Sequence, residues 1–270
     1  MCATCGCNDA SSVSFDHLHG KKICLIADRD HLHRHHGIAK NSHVHDGQHT
    51  KSVVEVEQDV LYENNLLAEK NREHFLRKNL LALNLVSSPG SGKTMLLEKT
   101  LQRIGDELKC YVIEGDQQTS NDAKRIHATG TPVVQINTGK GCHLDAHMVF
   151  HAVEHLNPEN DSVVFIENVG NLVCPAMFDL GEGVRVVIAS VTEGDDKPAK
   201  YPDMFFSSQV CVINKIDLLP YVPFDVEKFK TSALQINPLL KFIKVSALKE
   251  TGLEDWCKWL RHHVPHPQLV

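Results

Sequence analysis

The feature that most constrains this chain is the stretch SSPGSGKT, which runs from Ser87 to Thr94. A nearly continuous apolar run, Leu80 to Val86, leads into it, and a helical pattern begins at Met95. A strand, a glycine-rich loop and a helix in this order surround phosphate with backbone N–H groups and with the positive end of the helix dipole. The stretch therefore predicts a phosphate-binding loop rather than an ordinary glycine-rich turn.

Two side chains of this loop are expected to act chemically. Lys93 would reach the β- and γ-phosphates and act in catalysis, and the Thr94 hydroxyl would ligate Mg²⁺. The usual first glycine of the motif is replaced by Ser87, which predicts a slightly different loop geometry. The remaining contacts to the phosphates are expected from Gly90, Ser91 and Gly92.

A second motif, Asn-Lys-x-Asp, closes an apolar run at Asn214, Lys215 and Asp217. The Asp217 carboxylate can accept hydrogen bonds from the ring N–H and exocyclic amine of guanine, which adenine does not offer. Lys215 would pack against the base, and Asn214 would hold the loop together. Backbone N–H groups at Ser246 and Ala247 would bind the guanine carbonyl. Because this spacing occurs downstream of a phosphate loop, it favours a guanine-binding segment over an ordinary solvent-exposed turn.

Apolar runs alternate with helical patterns from residue 80 onward, which predicts an α/β fold with a mostly parallel sheet and helices on both faces. The expected strands are 80–87, 110–114, 132–137, 162–167, 184–191, 210–214 and 242–246. The expected helices are 95–108, 119–129, 144–156, 225–235 and 253–263. The expected core includes Leu253, Trp256, Trp259, Leu260, Cys110, Cys211 and Cys257.

Acidic groups stand where two predicted strands end. Glu114 and Asp116 close the second strand, and Glu167 closes the fourth, in a pattern like the Asp-x-x-Gly switch of GTPases that ends at Gly170. We expect Asp116 to ligate Mg²⁺ or position water as a catalytic residue, and Glu167 to act on Mg²⁺ through an intervening water. Asn171 stands where a Ras-type enzyme has its water-orienting glutamine, so slow hydrolysis is expected.

Residues 1–50 lack hydrophobic periodicity. Such a segment buries too little apolar surface to offset its ordering entropy, so it is expected to be mobile except where a metal holds it. Cys2, Cys5 and Cys7 place three thiols together, which suits planar Ni²⁺ or tetrahedral Zn²⁺, with an incidental cluster as the alternative. Nine of the 18 histidines lie between His17 and His49, which favours a loose store for several ions over an inert linker.

Residues 51–79 are expected to form a helical lead-in to a domain that spans residues 80–270. Within it, 52–78 has a charged amphipathic pattern, with apolar side chains at helical spacing. The pattern predicts a helix packed on the flank of that domain. Its apolar positions are Val53, Val56, Val60 and Leu67.

A second set of metal-ligand types lies inside the predicted domain. Cys142 and His143 precede a predicted helix, and Cys174 follows the strand that ends at Glu167. A metal ion held by these three side chains would be joined mechanically to the γ-phosphate sensor. His147, one helical turn after His143, is a weaker candidate ligand. Spacing alone leaves open that the two cysteines are buried small hydrophobes.

Charge and hydropathy limit the classes of partner. The chain has 270 residues and a net charge of −6, which gives no indication of nonspecific nucleic-acid binding. No run approaches the roughly 18 apolar residues of a membrane span, and the N-terminus has no apolar signal region. We therefore expect a cytoplasmic protein with no nucleic-acid or membrane partner, whose nine cysteines are reduced or metal-bound.

Together these motifs resemble the hydrogenase nickel-incorporation GTPase family (HypB). The resemblance covers nearly the whole chain. It rests on Cys2 to Cys7, the histidine-rich spacer, Asn64 to Arg72, Ser88 to Thr94, Glu114 to Gln117, Gly141 to Ala146, Glu167 to Pro175 and Asn214 to Asp217.

The resemblance implies a SIMIBI-type P-loop GTPase that binds GTP or GDP with Mg²⁺ and forms a homodimer with nucleotide. It implies nickel delivery to the [NiFe]-hydrogenase large subunit, with the small nickel chaperone HypA as a partner. It also implies a tight nickel site at the three N-terminal cysteines and a weaker nickel or zinc site at Cys142, His143 and Cys174. The presence of both the cysteines and the histidine tract suggests storage as well as delivery.

Three other interpretations compete with this one. A metal-storage protein with a regulatory or vestigial nucleotide site is disfavoured by the intact Lys93, Thr94 and Asp217. A urease-type nickel GTPase is disfavoured by the Cys-x-x-Cys-Gly-Cys start. A translational or signalling GTPase with a tag-like histidine tract is disfavoured because leucine, valine and arginine interrupt the histidines.

Overall fold

The computed structural model describes residues 14–17, 21–24, 53–117 and 121–264. The predicted metal ligands Cys2, Cys5 and Cys7 lie outside these residues, as does the histidine tract beyond His17. Among the described residues no helix is long and apolar enough to cross a membrane.

A nine-stranded sheet forms the centre of the structure, in the order β2-β1-β5-β4-β6-β3-β7-β8-β9. Strands β3 to β9 are parallel to one another, as the alternating pattern predicts. β3 is buried along its whole length, because helices cover both faces of a parallel sheet. The strands are β1 Ser14–His17, β2 Lys21–Cys24, β3 Leu81–Ser87, β4 Cys110–Asp116, β5 Val133–Asn137, β6 Val163–Glu167, β7 Val184–Ser190, β8 Val210–Asn214 and β9 Lys241–Lys244.

Each helix predicted from the sequence is present within a few residues of its expected bounds. Three short helices, α5 to α7, were not predicted because four or five residues are too few to show a helical period. The helices are α1 Val53–Arg77, α2 Lys93–Ile104, α3 Asn121–His127, α4 Ala146–Leu156, α5 Cys174–Met177, α6 Lys197–Lys200, α7 Pro202–Phe206, α8 Val226–Ile236 and α9 Leu253–His263.

The hairpin of β1 and β2 was not anticipated from the sequence. β1 pairs antiparallel with β5, so that Phe15 lies opposite Ile136, and β2 pairs with β1. Without the hairpin, β5 would be an edge strand with unpaired backbone groups. Strands of four residues lack a readable alternation, which is why sequence periodicity missed them.

The core predicted in the last helix is confirmed. Leu253, Trp256 and Leu260 are buried, and Trp259 packs against them from a partly buried position. The Trp256 indole N–H donates to the Thr100 hydroxyl at 2.9 Å, which satisfies the buried ring nitrogen and joins α9 to α2.

Helix α1 packs on the flank of the domain, against α4, as predicted. Of the predicted apolar positions, Leu67 is partly buried, and the side chains of Val53 and Val56 lie outside the described part of the chain. Val60 is 48% exposed, so the predicted apolar stripe is wrong at that position. The buried positions are instead Asn64, Ala68, Asn71 and Phe75. Asn64 Oδ1 accepts the Ala146 N–H at 2.9 Å, and Asn71 Nδ2 donates to the Ala146 carbonyl at 2.9 Å. The amide side chains of α1 thus hold the start of α4. A pattern of apolar residues could not predict these positions, because the side chains that make the contacts are polar.

Candidate functional site

The carboxyl ends of the parallel strands meet at one edge of the sheet, where α/β proteins place their ligands. The phosphate loop lies there, between β3 and α2. Gly90 and Gly92 have φ angles of 75° and 89°, in the left-handed region that favours glycine. A Cβ atom at Gly92 would lie 2.6 Å from the Asn214 amide nitrogen, so this position also excludes a side chain.

Ser87, which replaces the usual first glycine, lies at the end of β3. It is buried, and its hydroxyl donates to the Ser88 carbonyl at 2.8 Å. Ser87 has no positive φ angle, so the substitution costs no backbone strain.

The Asn-Lys-x-Asp segment contacts the phosphate loop directly. Asn214 Nδ2 donates to the Ser91 carbonyl at 2.9 Å, and its Oδ1 accepts the Ala247 N–H at 3.1 Å. Lys215 Nζ donates to the Gly90 carbonyl at 2.7 Å. Asn214 therefore joins three loops, in the connecting position that the sequence predicted for it.

Asp217 lies at the open side of the same segment. Its Oδ1 accepts the Ser246 hydroxyl at 2.5 Å, which orients the carboxylate beside the backbone of residues 246–247. The structure therefore brings together all five residues predicted to recognise the base.

The predicted switch carboxylate, Glu167, is buried at the end of β6 and contacts the phosphate loop. Its Oε1 accepts the Thr94 hydroxyl at 2.6 Å and lies 3.1 Å from Lys93 Nζ. This arrangement places the carboxylate beside the predicted Mg²⁺ ligand and the predicted phosphate ligand. The assignment of Asp116 as the direct Mg²⁺ ligand and Glu167 as the water-mediated one stays a prediction.

A second buried carboxylate lies beside Glu167. The parallel register of β4 and β6 pairs Glu114 with Glu167. Burial first, and then the charges of Glu167 and Asp116, raise the pKa of Glu114 from 4.5 to about 9. Glu114 is therefore protonated at neutral pH. Asp116, two residues on and half-buried, accepts the Gln117 N–H at 2.7 Å.

Cys142, His143 and Cys174 form one cluster, with a donor atom of each within 4.8 Å of the others. Cys142 Sγ lies 2.9 Å from Cys174 Sγ and 3.6 Å from His143 Nδ1, and the two cysteines do not form a disulfide. Burial lowers the pKa of His143, so its ring is neutral, as a metal ligand must be. Two thiols and one imidazole are a donor set for Zn²⁺ or Ni²⁺.

The segment 167–174 connects the two sites. At Gly170, a Cβ atom would lie 3.1 Å from Pro89 Cα, so the segment packs closely on the phosphate loop. Asn168 Oδ1 accepts the Leu144 N–H at 3.1 Å, and Asn171 Nδ2 donates to the Cys142 carbonyl at 3.3 Å. One short stretch of chain therefore carries Glu167 at one end and Cys174 at the other, and holds the Cys142–Leu144 loop between them.

Comparison with known proteins agrees with this geometry. The profile of the CobW/HypB/UreG nucleotide-binding domain matches residues 81–244. The hydrogenase maturation factor HypB of Escherichia coli K12 is 55% identical over 229 residues, which cover 85% of this chain and 78% of that protein. The chain belongs to the HypB family.

Other members of the HypB family match at greater distance. The probable hydrogenase maturation factor HypB of Methanocaldococcus jannaschii is 41% identical, over 80% of this chain and 98% of that protein. The crystal structure of HypB from Archaeoglobus fulgidus matches with a TM-score of 0.70 and 44% identity, over 76% of this chain and 100% of that one. HypB from Helicobacter pylori in complex with nickel matches with a TM-score of 0.70 and 35% identity, over 77% of this chain and 100% of that one.

The other described cysteines of this HypB family member are core residues, as predicted. Cys110, Cys211 and Cys257 are buried. Burial raises the pKa of Cys110 to about 12 and that of Cys257 to about 11, and it also raises that of Cys211. These thiols stay protonated and are poor metal ligands.

Two side-chain contacts that hold the site together are not predicted by the sequence motifs. Lys197 Nζ donates to the Ser88 hydroxyl at 2.8 Å and lies 3.4 Å from Glu193, which brings a charge from the segment after β7 to the phosphate loop. Asn168 makes the contact with Leu144 described above. Lys197 belongs to no motif, and Asn168 is an unspecified position within the Glu167–Gly170 pattern, so only the folded arrangement reveals their contacts.

Proposed function

We propose that this protein is a nickel-binding GTPase that uses its nucleotide state to control nickel delivery during maturation of [NiFe]-hydrogenase. The observation that carries the proposal is the segment 167–174, which contacts the phosphate loop through Glu167 and the metal cluster through Cys174. Membership of the HypB family, and the nickel named with the Helicobacter pylori structure, support the choice of metal and process.

The residues at the phosphate loop fit a nucleotide with Mg²⁺. Glu167 Oε2 and Glu114 Oε2 are buried and have no hydrogen-bond partner among the described residues. Thr94 would hold Mg²⁺, with Asp116 and Glu167 nearby, and the ion would neutralise charge between the β- and γ-phosphates. Asp217 would select guanine, with Lys215 packed against the base.

Glu167 would sense the nucleotide by losing partners. Lys93 and Thr94 both bond to its Oε1, and both are the groups that a bound nucleotide and its metal would engage. A buried carboxylate left with fewer donors must find new ones, because an unpaired buried charge is costly. The segment that follows Glu167 would shift to supply them, and this shift would reach Gly170, Asn171 and Cys174.

Hydrolysis would be slow and would act as a timer. Asn171 occupies the position of a water-orienting residue, but its amide donates to the Cys142 carbonyl. The Asn171 side chain therefore links the switch segment to the loop that carries Cys142 instead of orienting water. Lys93 would stabilise the charge on the transferring phosphate. Loss of the γ-phosphate would relax the segment, weaken the metal cluster and release Ni²⁺ to a partner.

The remaining elements complete the delivery scheme. A homodimer formed with nucleotide would bring two metal clusters together, and HypA and the hydrogenase large subunit would exchange nickel with it. Cys2, Cys5 and Cys7 would hold one nickel ion tightly, and the histidine tract would store further ions. Whether Ni²⁺ or Zn²⁺ is bound would depend on supply, because the donor set suits both.

The test is nickel transfer from the full chain to a chelating acceptor, followed with GDP and during GTP hydrolysis. We expect transfer to depend on GTP, and Cys142→Ser to remove that dependence. The matched control is Cys257→Ala, which alters a core thiol outside the cluster and should keep it. If Cys142→Ser left the GTP dependence unchanged, the coupling would be wrong.

The second candidate function is storage of nickel or zinc that does not depend on the bound nucleotide. The nine histidines between His17 and His49 favour it. It predicts that nickel bound per chain falls to nearly zero when residues 1–50 are removed. The proposed function predicts that a chain starting at residue 51 keeps a nickel site whose affinity differs between GDP and a nonhydrolysable GTP analogue.

A further inference from the structure

Helix α1 buries two amide side chains, Asn64 and Asn71, on one face of the helix, two turns apart. This face meets the two loops that carry the thiol cluster. The loop 142–146 carries two of the three donors of the cluster, and the loop 174–182 carries the third. The coupling between nucleotide and metal described above gives these two asparagines no part.

Each asparagine binds both loops. Asn64 Oδ1 accepts the Ala146 N–H at 2.9 Å, and its Nδ2 donates to the Asp179 carbonyl at 2.8 Å. Asn71 Nδ2 donates to the Ala146 carbonyl at 2.9 Å and to the Leu180 carbonyl at 3.0 Å, one bond for each of its two hydrogens. Four hydrogen bonds from two side chains therefore join the loops to each other through α1, and we call this pair of side chains the asparagine bridge.

The loop 174–182 lies as close to α1 as backbone atoms allow. Gly181 has a φ angle of 85°, and a Cβ atom at this position would collide with the Ala68 carbonyl oxygen of α1. Arg72 of the same helix pairs with Asp179, with 2.7 Å between Nη2 and Oδ2. These contacts lie beside the asparagine bridge, so the helix fixes the position of this loop as well as that of the start of α4.

The held loop in turn contacts a donor of the cluster. Phe178 directly precedes Asp179, whose carbonyl is bound by the bridge, and its ring packs on the His143 ring with the ring centroids 4.0 Å apart. Phe178 is buried, and its carbonyl accepts Arg185 Nη2 at 3.0 Å. A buried ring in contact at this distance limits how the imidazole can turn. The position of the loop therefore decides whether His143 Nδ1 faces Cys142 Sγ, as it does at 3.6 Å.

We propose that Asn64 and Asn71 are positioning residues of the thiol cluster, which hold its two loops at the separation where all three donors reach one ion. The proposal rests on the proposed function, because it takes the cluster as the metal site. Donors that are held in place before the ion arrives lose less conformational entropy when they bind it. Outer contacts that orient metal ligands raise metal affinity for this reason.

The first test is a Ni²⁺ titration of the full chain without nucleotide, with nickel–thiolate absorbance read as the difference from the same protein carrying Cys142→Ser. In Asn71→Leu both bonds of the side chain are lost, while size and helix propensity are kept. We expect the nickel affinity of the cluster to fall by about tenfold or more. The matched control is Thr100→Val, which removes the acceptor of the Trp256 indole N–H on the other face of the sheet and should leave this affinity unchanged. Unchanged affinity in Asn71→Leu would refute the proposal.

A second variant separates a bridge between the loops from simple support of α4. Asn64→Asp keeps an acceptor for the Ala146 N–H but has no donor for the Asp179 carbonyl. A residue that only held the start of α4 would therefore tolerate this change. We expect Asn64→Asp to lose about tenfold in nickel affinity, as Asn64→Leu should. Wild-type affinity in Asn64→Asp would overturn the bridge.

A measurement without metal distinguishes this proposal from the proposed function. Diamide takes two electrons and two protons from a pair of thiols that meet, and peptide mass spectrometry gives the rate at which Cys142 becomes linked to Cys174. We expect Asn71→Leu to slow this linkage several-fold. If the linkage slows but the wild type shows no nickel–thiolate signal from Cys142, the bridge stands and the proposed function fails. If the wild type binds nickel there and Asn71→Leu changes neither affinity nor linkage, the bridge is refuted and the proposed function stands.

Discussion

The replacement Glu114→Gln tests whether a protonated carboxyl lies beside Glu167 in the nucleotide-free protein. Glutamine has the shape and hydrogen-bonding capacity of a neutral glutamic acid, but it does not titrate. The wild-type side chain has a pKa of about 9 in the folded chain and an ordinary value of 4.5 when unfolded. The variant therefore removes one proton equilibrium and leaves the packing nearly unchanged.

The sign of the effect follows from proton binding. Between the two pKa values the folded chain holds a proton on Glu114 that the unfolded chain has released, so the stability of the wild type falls as pH rises. The loss is about 1.4 kcal/mol per pH unit. From about pH 5.5 to about pH 8.5, the free energy of unfolding of Glu114→Gln should therefore gain about 4 kcal/mol relative to the wild type.

The assay is urea unfolding of both proteins at several pH values in that range, without nucleotide. The control is Glu73→Gln on the exposed face of α1, whose stability should follow that of the wild type at every pH. A difference between Glu114→Gln and the wild type that does not change with pH would refute the assignment of a protonated Glu114.

Three further changes test other parts of the site. Asn168→Ala leaves the buried Leu144 N–H without its acceptor and should lower the free energy of unfolding by about 1–3 kcal/mol in urea, whereas no loss would mean the contact is dispensable. Gly170→Ala places a Cβ atom 3.1 Å from Pro89 Cα and N, so calorimetry should show weaker GDP binding, and unchanged binding would contradict the close packing. Asp217→Ala should lower the preference for GTP over ATP in competition binding by about 100-fold, through the loss of two hydrogen bonds to a charged acceptor. An unchanged preference would place base recognition elsewhere.

The fold was predictable because the buried strands of a parallel sheet are runs of apolar residues, which can be recognised in the sequence. The runs that became β3 to β8 are buried along nearly their whole length between covered faces of the sheet, so most of their residues are apolar. The amphipathic pattern of α9 placed Trp256 and Leu260 in the core for a similar reason. In contrast, α1 is fixed by Asn64 and Asn71, whose buried amides satisfy backbone groups, and a hydrophobic period does not register them.

The site was predictable where its chemistry depends on local spacing. The phosphate loop and the Asn-Lys-x-Asp segment are continuous in sequence, so their residues could be named in advance. The pairing of Glu114 with Glu167 depends on strand order and register, which no local pattern encodes. The same holds for Gly170 against Pro89 and for Lys197 at Ser88, which join segments far apart in the chain.

The central claim is that nucleotide and metal share one connecting segment, and the most direct measurement is nickel affinity in two nucleotide states. The full chain is titrated with Ni²⁺ in GDP and in a nonhydrolysable GTP analogue, and nickel–thiolate absorbance is read as the difference between wild type and Cys142→Ser. We predict at least about a fivefold difference in affinity between the two nucleotides, which Glu167→Gln abolishes, and linkage requires nickel to change nucleotide affinity by the same factor. Equal nickel affinity in both nucleotides would contradict the claim.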